Sequence, residues 1–170
     1  MLRNLHALYE ALEGALDRNA ELPCTAPVRM PTIYRAAPLA ADLRYLQGSD
    51  WSRLPLTATM KAYVSRVEEI GRTRPELLAA HAYVRYMGDL SGGQILRDMV
   101  RRGLALNDGT GTAFYDFDGG NETGSIKEAL RTALDALPVD DQVAGEIVAE
   151  ARAAFARHIE LFEELSPAPL

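Results

Sequence analysis

A helix interrupted by glycines constrains this chain more than any other feature. From Pro75 to Arg102 the sequence has helical periodicity, with the proline suited to a first turn and apolar residues at steps of three and four. Gly88, Gly92 and Gly93 fall inside this segment, although each interior glycine costs roughly 1 kcal/mol relative to alanine. Such clustering predicts a kink that brings bare backbone close to something flat or bulky.

Two charged residues belong to the same part of this helix. Arg85 and Asp89 are four positions apart, so they share the face that Gly92 and Gly93 continue. A carboxylate beside exposed backbone, supported by a guanidinium group, indicates a functional site.

The remainder of the chain is also predicted to be helical. Helices are expected over residues 2–16, 40–46, 58–72 and 125–137, and after Asp140, which is placed to act as an N-cap. Proline-rich residues 19–38 and glycine-rich residues 104–123 are predicted to be connections. No strand-like alternation of any length is present, so we expect an all-α protein with a single domain over residues 1–170.

Composition excludes several functional classes. The chain has 170 residues, of which 48% are hydrophobic, and this suits one domain with a substantial core. The sequence contains no run of eighteen apolar residues, so it predicts no membrane span. A net charge of −6 disfavours nucleic acid as a partner. The single cysteine, Cys24, favours a reducing compartment, and we expect a cytoplasmic location.

Six polar residues are predicted to lie on, or one turn from, the inward faces of four helices. They are Tyr9, Tyr63, Arg85, Tyr86, Asp89 and His158. Taken singly, a tyrosine or histidine in such a stripe is most often a core residue with one hydrogen bond. Buried polar groups cost several kcal/mol unless they are partnered, so a cluster of six predicts mutual hydrogen bonding around a hydrated internal site.

The segment YVRYMGDLSGGQIL closely resembles the distal-helix signature of the haem oxygenases. The resemblance extends over essentially the whole chain. It includes YEALEGALDRN, MKAYVSRVEEIGRTRPELLAAHAY, TAFYDF, SIKEALRTAL and AFARHIELFEEL. It implies a single-domain helical bundle with a glycine-kinked distal helix.

The resemblance also implies an activity. In this family haem is both cofactor and substrate, and it is opened at the α-meso carbon to biliverdin, carbon monoxide and ferrous iron. The reaction uses O2 and electrons from an external donor of the ferredoxin, flavodoxin or flavin reductase type.

Catalytic roles follow from positions that match the family signature. Asp89 matches the carboxylate that holds a distal water, and Gly88 matches backbone that crowds the bound oxygen. Arg85, Tyr9, Tyr63 and Tyr86 extend the hydrogen-bonded chain. One departure is His158, which stands where the family pattern has an asparagine, so we expect an altered network.

Haem-binding roles are implied for a second set of residues. Lys127 and Arg131, together with Tyr83, match the groups that hold the haem propionates. Gly88 and Gly92 match backbone against the haem face, and Phe155 matches an aromatic residue of the pocket wall.

No residue is assigned as the iron ligand. Family members carry that histidine on a proximal helix upstream of the tyrosine matched by Tyr9, and we expect this helix to be absent from the sequence. Three interpretations are open: a longer haem oxygenase whose sequence begins here at an internal methionine, a shortened relative that binds haem or another tetrapyrrole without turnover, or completion by a partner chain.

Two alternatives come from other classes. A di-iron protein would need paired Glu-x-x-His segments, and none of the three histidines follows a glutamate by three residues. A helical interaction module would not need glycines in a core helix beside Asp89.

Overall fold

A computed structural model describes residues 1–106, 110–117 and 123–166, and this part of the chain contains helices and no strand. The prediction of an all-α fold is confirmed. The helices are α1 (Leu2–Arg18), α2 (Ala36–Gln47), α3 (Ala58–Thr73), α4 (Leu78–Ala82), α5 (Gly88–Gly103), α6 (Thr123–Asp135) and α7 (Asp141–Leu165). No helix within the described ranges combines the length and apolarity that a membrane span requires.

Helix α1 lies at the centre of the fold and packs against α2 and α3. Its stripe of Leu5, Tyr9, Leu12 and Leu16 is buried, as the periodicity predicts. At the crossing with α3, a Cβ atom added to Gly71 would lie 2.8 Å from Ala15 Cβ, which is closer than real side chains approach. Gly71 is therefore required for the close contact of these two helices.

The glycine-interrupted segment is helical from Pro75 to Gly103, but it is not one continuous α-helix. A 3₁₀ turn at Pro75–Leu77 leads into α4, and five residues of π-helix (Tyr83–Met87) separate α4 from α5. Gly88 itself has α-helical backbone angles, φ −62° and ψ −49°. The departure from α geometry thus comes just before the first glycine. A π-helical turn of this kind is frequent at functional sites.

Helix α2 begins earlier than predicted. It starts at Ala36 instead of residue 40, and it includes Pro38 in its first turn, where the missing N–H has no helical partner to lose. Asp42 on this helix accepts hydrogen bonds from the backbone N–H groups of Ala113 and Phe114, both at 2.8 Å. These bonds hold a 3₁₀ turn (Ala113–Tyr115) against the core, within the stretch predicted to be a loop.

Helix α6 covers Thr123–Asp135, two residues upstream of the predicted span. The predicted connection over residues 104–123 lies partly outside the described residues, because residues 107–109 and 118–122 are not among them.

Helix α7 is capped as predicted, since the Asp140 side chain accepts from Val143 N at 2.8 Å. The predicted inward stripe on this helix is only partly correct. Ala154 is buried, but Phe155 and Phe162 are 51% and 59% exposed, because α7 packs against α3 and α4 on one side only. The exposed side forms an apolar stripe that we call the open α7 face, comprising Val148, Phe155, Ile159 and Phe162.

Helix α5 has a comparable surface. Gly88, Gly92, Ile95, Leu96 and Met99 recur at steps of three and four and so lie on one side of the helix. The three apolar side chains are exposed, with Ile95 reaching 69%. We call this surface the open α5 face.

Candidate active site

Four helical segments bring four polar side chains together beside the open α5 face. Tyr9 comes from α1, Arg85 from the π segment, Asp89 from the first turn of α5 and His158 from α7. We call this group the Asp89 cluster. All four members are among the six polar residues predicted to lie together, and the structure links them by hydrogen bonds.

Hydrogen bonds close a ring between Tyr9, Arg85 and Asp89. Arg85 donates from Nε and Nη2 to Tyr9 Oη, at 3.1 and 2.9 Å, and Nη2 also donates to Asp89 Oδ1 at 3.0 Å. Tyr9 Oη in turn donates to the second carboxylate oxygen, Oδ2. Both oxygens of the carboxylate are therefore engaged, and its orientation is fixed.

His158 accepts a hydrogen bond from the remaining nitrogen of the guanidinium group, Nη1. Arg85 Nη1 donates to His158 Nε2 at 2.6 Å, while His158 Nδ1 donates to the carbonyl oxygen of Ala154 at 2.9 Å. Burial and the positive charge of Arg85 lower the pKa of His158 to about 4. The imidazole at position 158 is thus neutral at pH 7, and its Nε2 acts as a hydrogen-bond acceptor.

The cluster is poised to hold a proton. Burial raises the pKa of the Asp89 carboxyl well above its ordinary value. Burial also lowers the pKa of the Arg85 guanidinium, to about 10. A raised pKa favours the protonated form of the carboxyl, and a carboxyl group that can hold a proton is suited to act as a general acid or to hold a reactive water.

Gly88 and Gly92 lie next to this carboxyl with nothing in front of them. A Cβ atom added at either position would meet no atom within 4 Å. Gly93, by contrast, faces the ring of Tyr115, with 3.8 Å between the added Cβ and Cδ1. No contact within the described structure requires glycine at positions 88 and 92, so their lack of side chains is suited to an external group that approaches the backbone closely.

The residues predicted to hold the cofactor lie near a second feature, an apolar cavity of about 530 Å³. Tyr83, Arg131 and Phe155 all line it, together with aliphatic side chains of α6 and α7. Lys127 is half-buried on α6 and is not among the lining residues. Gly88 and Gly92 do not line this cavity either, so the predicted binding residues divide between the cavity and the open α5 face.

Two predicted network tyrosines have other hydrogen-bond partners. Tyr63 Oη pairs with His81 Nδ1 at 3.1 Å, and its ring packs edge-on against His158 with 5.4 Å between centroids. Tyr86 Oη donates to Glu13 at 3.4 Å, and its ring centroid lies 5.8 Å from that of Tyr9. Both tyrosines therefore contact rings of the Asp89 cluster, while their hydroxyl groups bond to His81 and Glu13, outside it.

Three polar residues behind the cluster were missed by the sequence reasoning. Glu13 accepts from the backbone N–H groups of Arg35 and Ala36, and burial raises its pKa to about 7. His81 Nε2 lies 3.3 Å from Glu150 Oε1, whose pKa is held at about 2 chiefly by the imidazole. Glu13 follows Tyr9 by four positions, a spacing that could have identified it.

Each of the three histidines is engaged within the fold. His6, predicted to be half-buried, is buried and stacks edge-on against Trp51 with 4.7 Å between ring centroids. His81 contacts Tyr63 and Glu150, and His158 contacts Arg85, as described above. Within the described ranges, no group of three or more His, Cys, Asp or Glu side chains could hold a metal ion. That finding offers a di-iron centre no support.

The surfaces around the cluster fit a large flat cofactor such as haem. The open α5 face offers bare backbone and exposed aliphatic side chains beside a buried carboxyl. The apolar cavity offers an aromatic wall at Phe155 and a cation, Arg131, whose side chain is 61% exposed. Apolar contact with a macrocycle and a cation for its carboxylates are thus both present.

Comparison with known proteins agrees with this fit. A family model described as heme oxygenase matches residues 1–164. The heme oxygenase of Porphyra purpurea is 41% identical over 168 residues, covering 98% of this chain and 71% of that protein. Heme oxygenase 1 of Homo sapiens is also 41% identical over 168 residues, covering 97% of this chain and 58% of the human protein.

Solved structures give the same result. Heme oxygenase-1 from Synechocystis in complex with heme superposes with a TM-score of 0.91 at 39% identity, covering 97% of this chain and 75% of that one. The heme oxygenase of Leptospira interrogans gives 0.90 at 39% identity, covering 96% and 80%. The fold is therefore that of a haem-degrading enzyme class. This chain belongs to the haem oxygenase family.

Proposed function

We propose that this chain opens haem at the α-meso carbon, giving biliverdin, carbon monoxide and ferrous iron. The observation that carries the proposal is a buried, hydrogen-bonded carboxyl, Asp89, that lies along α5 between two side-chain-free positions, Gly88 and Gly92. When bound, haem supplies the iron that binds and activates O2, and its own ring is the substrate.

The glycines define how closely the macrocycle can approach. Because Gly88 and Gly92 lack Cβ atoms and face open space, a flat group can lie against the backbone of α5. A larger side chain at either position would fill the space that a bound macrocycle and its O2 would occupy. The role of Gly88 and Gly92 would therefore be steric, since their bare backbone would confine what binds there.

Asp89 supplies control of protons at the same place. Its raised pKa and its fixed orientation suit it to hold a water molecule and to deliver a proton from Oδ1 or Oδ2. Arg85 and Tyr9 fix the orientation of both carboxyl oxygens of Asp89. The ring of Tyr86 packs against that of Tyr9, and the ring of Tyr63 packs against that of His158. Proton delivery without early O–O cleavage is the step that this arrangement serves.

The orientation of haem in its plane is assigned to the cavity side. Arg131, Lys127 and Tyr83 would hold the two propionates, and Arg131 can bind a carboxylate through two parallel hydrogen bonds. Phe155 would provide the apolar wall. By holding the propionates, these residues would fix the orientation of the ring in its plane and hence the site at which it is opened.

The reaction also needs O2 and electrons that this chain does not supply. We propose an external donor protein of the ferredoxin, flavodoxin or flavin reductase type. We also propose a cytoplasmic location, which the single cysteine supports.

The histidines favour a second candidate function. His6 and His81 are buried, at 8% and 0% exposed, and Nε2 of His158 accepts from Arg85, so none of the three presents a free ring nitrogen on the open α5 face. The alternative is a haem- or tetrapyrrole-binding relative of the enzymes that does not turn haem over.

A haem titration separates these candidates. Haem is added to the chain with and without imidazole, absorbance is followed in the Soret region, and reductant and O2 are then supplied. We expect stoichiometric binding that imidazole strengthens, followed by biliverdin. Binding without biliverdin would support the second candidate, and the absence of binding in both conditions would contradict both.

A further inference from the structure

We infer that His158 is a positioning residue that aims Arg85 at Tyr9 and Asp89, and that it does so only as the neutral imidazole protonated at Nδ1. This inference rests on the proposed role of Asp89 in proton delivery. It assigns that role a supporting residue that the family signature does not contain.

The tautomer follows from the two partners of the ring. The carbonyl oxygen of Ala154 can only accept, so His158 Nδ1, 2.9 Å away, must carry the hydrogen. Arg85 Nη1 can only donate, so His158 Nε2, 2.6 Å away, must present its lone pair. A neutral ring with hydrogen on Nδ1 satisfies both requirements, and neither the other tautomer nor the imidazolium ion does.

The ring is also held from the side. Tyr63 packs edge-on against it, at an interplanar angle of 89°, and the Tyr63 hydroxyl is itself bonded to His81. Its lowered pKa, caused first by burial and then by Arg85 and His81, keeps His158 neutral throughout the physiological range. The acceptor at Nε2 is thus maintained by packing as well as by electrostatics.

The effect reaches the reactive carboxyl through one guanidinium group. Arg85 uses Nη1 for His158, Nη2 for Tyr9 and Asp89, and Nε for Tyr9. Because the guanidinium is planar and rigid, removal of the Nη1 acceptor frees it to turn, and a turn misaligns Nε and Nη2 together. The orientation of the Asp89 carboxyl therefore depends on His158, which acts through Arg85 and not through a hydrogen bond of its own to Asp89.

The test uses ¹⁵N NMR of the haem-free chain, so it does not depend on catalysis. The ring nitrogens of His158, assigned by their loss in His158→Asn, report the tautomer, and hydrogen exchange at Arg85 Nε–H reports how firmly the guanidinium is held. We expect hydrogen on Nδ1 alone at pH 7. We also expect exchange at least tenfold faster in His158→Leu, with most of the protection restored in His158→Asn, whose side-chain oxygen can accept.

A matched control is His6→Leu, which removes a buried histidine that lies against Trp51 and should leave Arg85 exchange unchanged. A protonated Nε2 at pH 7, or equal Arg85 exchange in His158→Leu and the wild type, would overturn the inference. Since both readouts are made without haem, a chain that failed to produce biliverdin could still confirm the positioning role of His158, and the two hypotheses fail separately.

Discussion

Glycines at two places in this molecule have opposite surroundings. At the α1–α3 crossing, Gly71 is glycine because the space is full: an added Cβ would lie 2.8 Å from that of Ala15. On the open α5 face, Gly88 and Gly92 have empty space in front of them. A glycine in a full core serves the fold, whereas a glycine facing empty space beside a buried carboxyl serves something that binds. This difference separates the structural region from the functional one.

The largest expected effect comes from filling the empty space. Gly92→Leu should weaken haem binding by about 100-fold, or nearly 3 kcal/mol, because the side chain occupies the volume assigned to the macrocycle. The measurement is a haem titration in the Soret region. Gly145→Leu is the matched control, since it adds the same side chain to another open helical position, on α7. Equal losses in the two variants would show that the open α5 face is not special.

The same substitution at the two kinds of glycine sharpens the contrast. Gly71→Ala should destabilise the fold by about 1–3 kcal/mol, because it overpacks the α1–α3 crossing. Gly92→Ala should leave stability unchanged or raise it by up to about 1 kcal/mol, since alanine favours helix and no clash results. Urea unfolding of both variants checks the expectation. A stable Gly71→Ala protein would contradict the reading of that crossing.

A smaller effect concerns Glu13, a buried carboxyl on α1. Because the pKa of Glu13 is about 7 in the folded chain and near 4.5 when unfolded, the folded state binds the extra proton between these values. Stability should therefore fall as pH rises from about 5 to 8. The wild type should lose about 2 kcal/mol more than Glu13→Gln over this interval, as measured by urea unfolding at each pH. Parallel pH profiles for the two proteins would rule the raised pKa out.

The smallest expected effect is at the cavity. Arg131→Glu should weaken haem binding by about tenfold, or 1.4 kcal/mol, or change the biliverdin isomer, because a propionate would face a like charge. Lys61→Glu, at an exposed position of α3, changes the net charge by the same amount and serves as the control. Affinity is read from the Soret titration and the isomer from chromatography of the product. If the two variants do not differ, Arg131 does not hold a propionate.

Much of this site could be predicted because helical periodicity places residues on faces. Arg85 and Asp89 were predicted to share one helix face and Tyr9 to lie on the inward stripe of another helix, and the structure joins the three with hydrogen bonds. Helical periodicity does not predict where and at what angle two helices cross. The pairing of His81 with Glu150 depends on how α4 meets α7, and the π segment before Gly88 has no period that distinguishes it from α-helix.

The exposure of α7 was predicted least well. An apolar stripe predicts burial, yet Phe155, Ile159 and Phe162 are all more than half exposed. Periodicity identifies which side chains share a face, but it does not identify what covers that face. On both α5 and α7 the stripe is better explained by binding than by core packing.

The most direct test of the proposed function is the biliverdin yield of the haem-loaded chain, with imidazole present, in the wild type and in Asp89→Ala. Asp98→Ala, on the same helix but exposed, is the control. We expect biliverdin from the wild type and the control. Asp89→Ala should bind haem and oxidise it with peroxidase-like side reactions but give less than about one tenth of the biliverdin, a loss in the range typical of a removed acid–base group. A normal yield from Asp89→Ala would contradict the central role of the buried carboxyl beside Gly88 and Gly92.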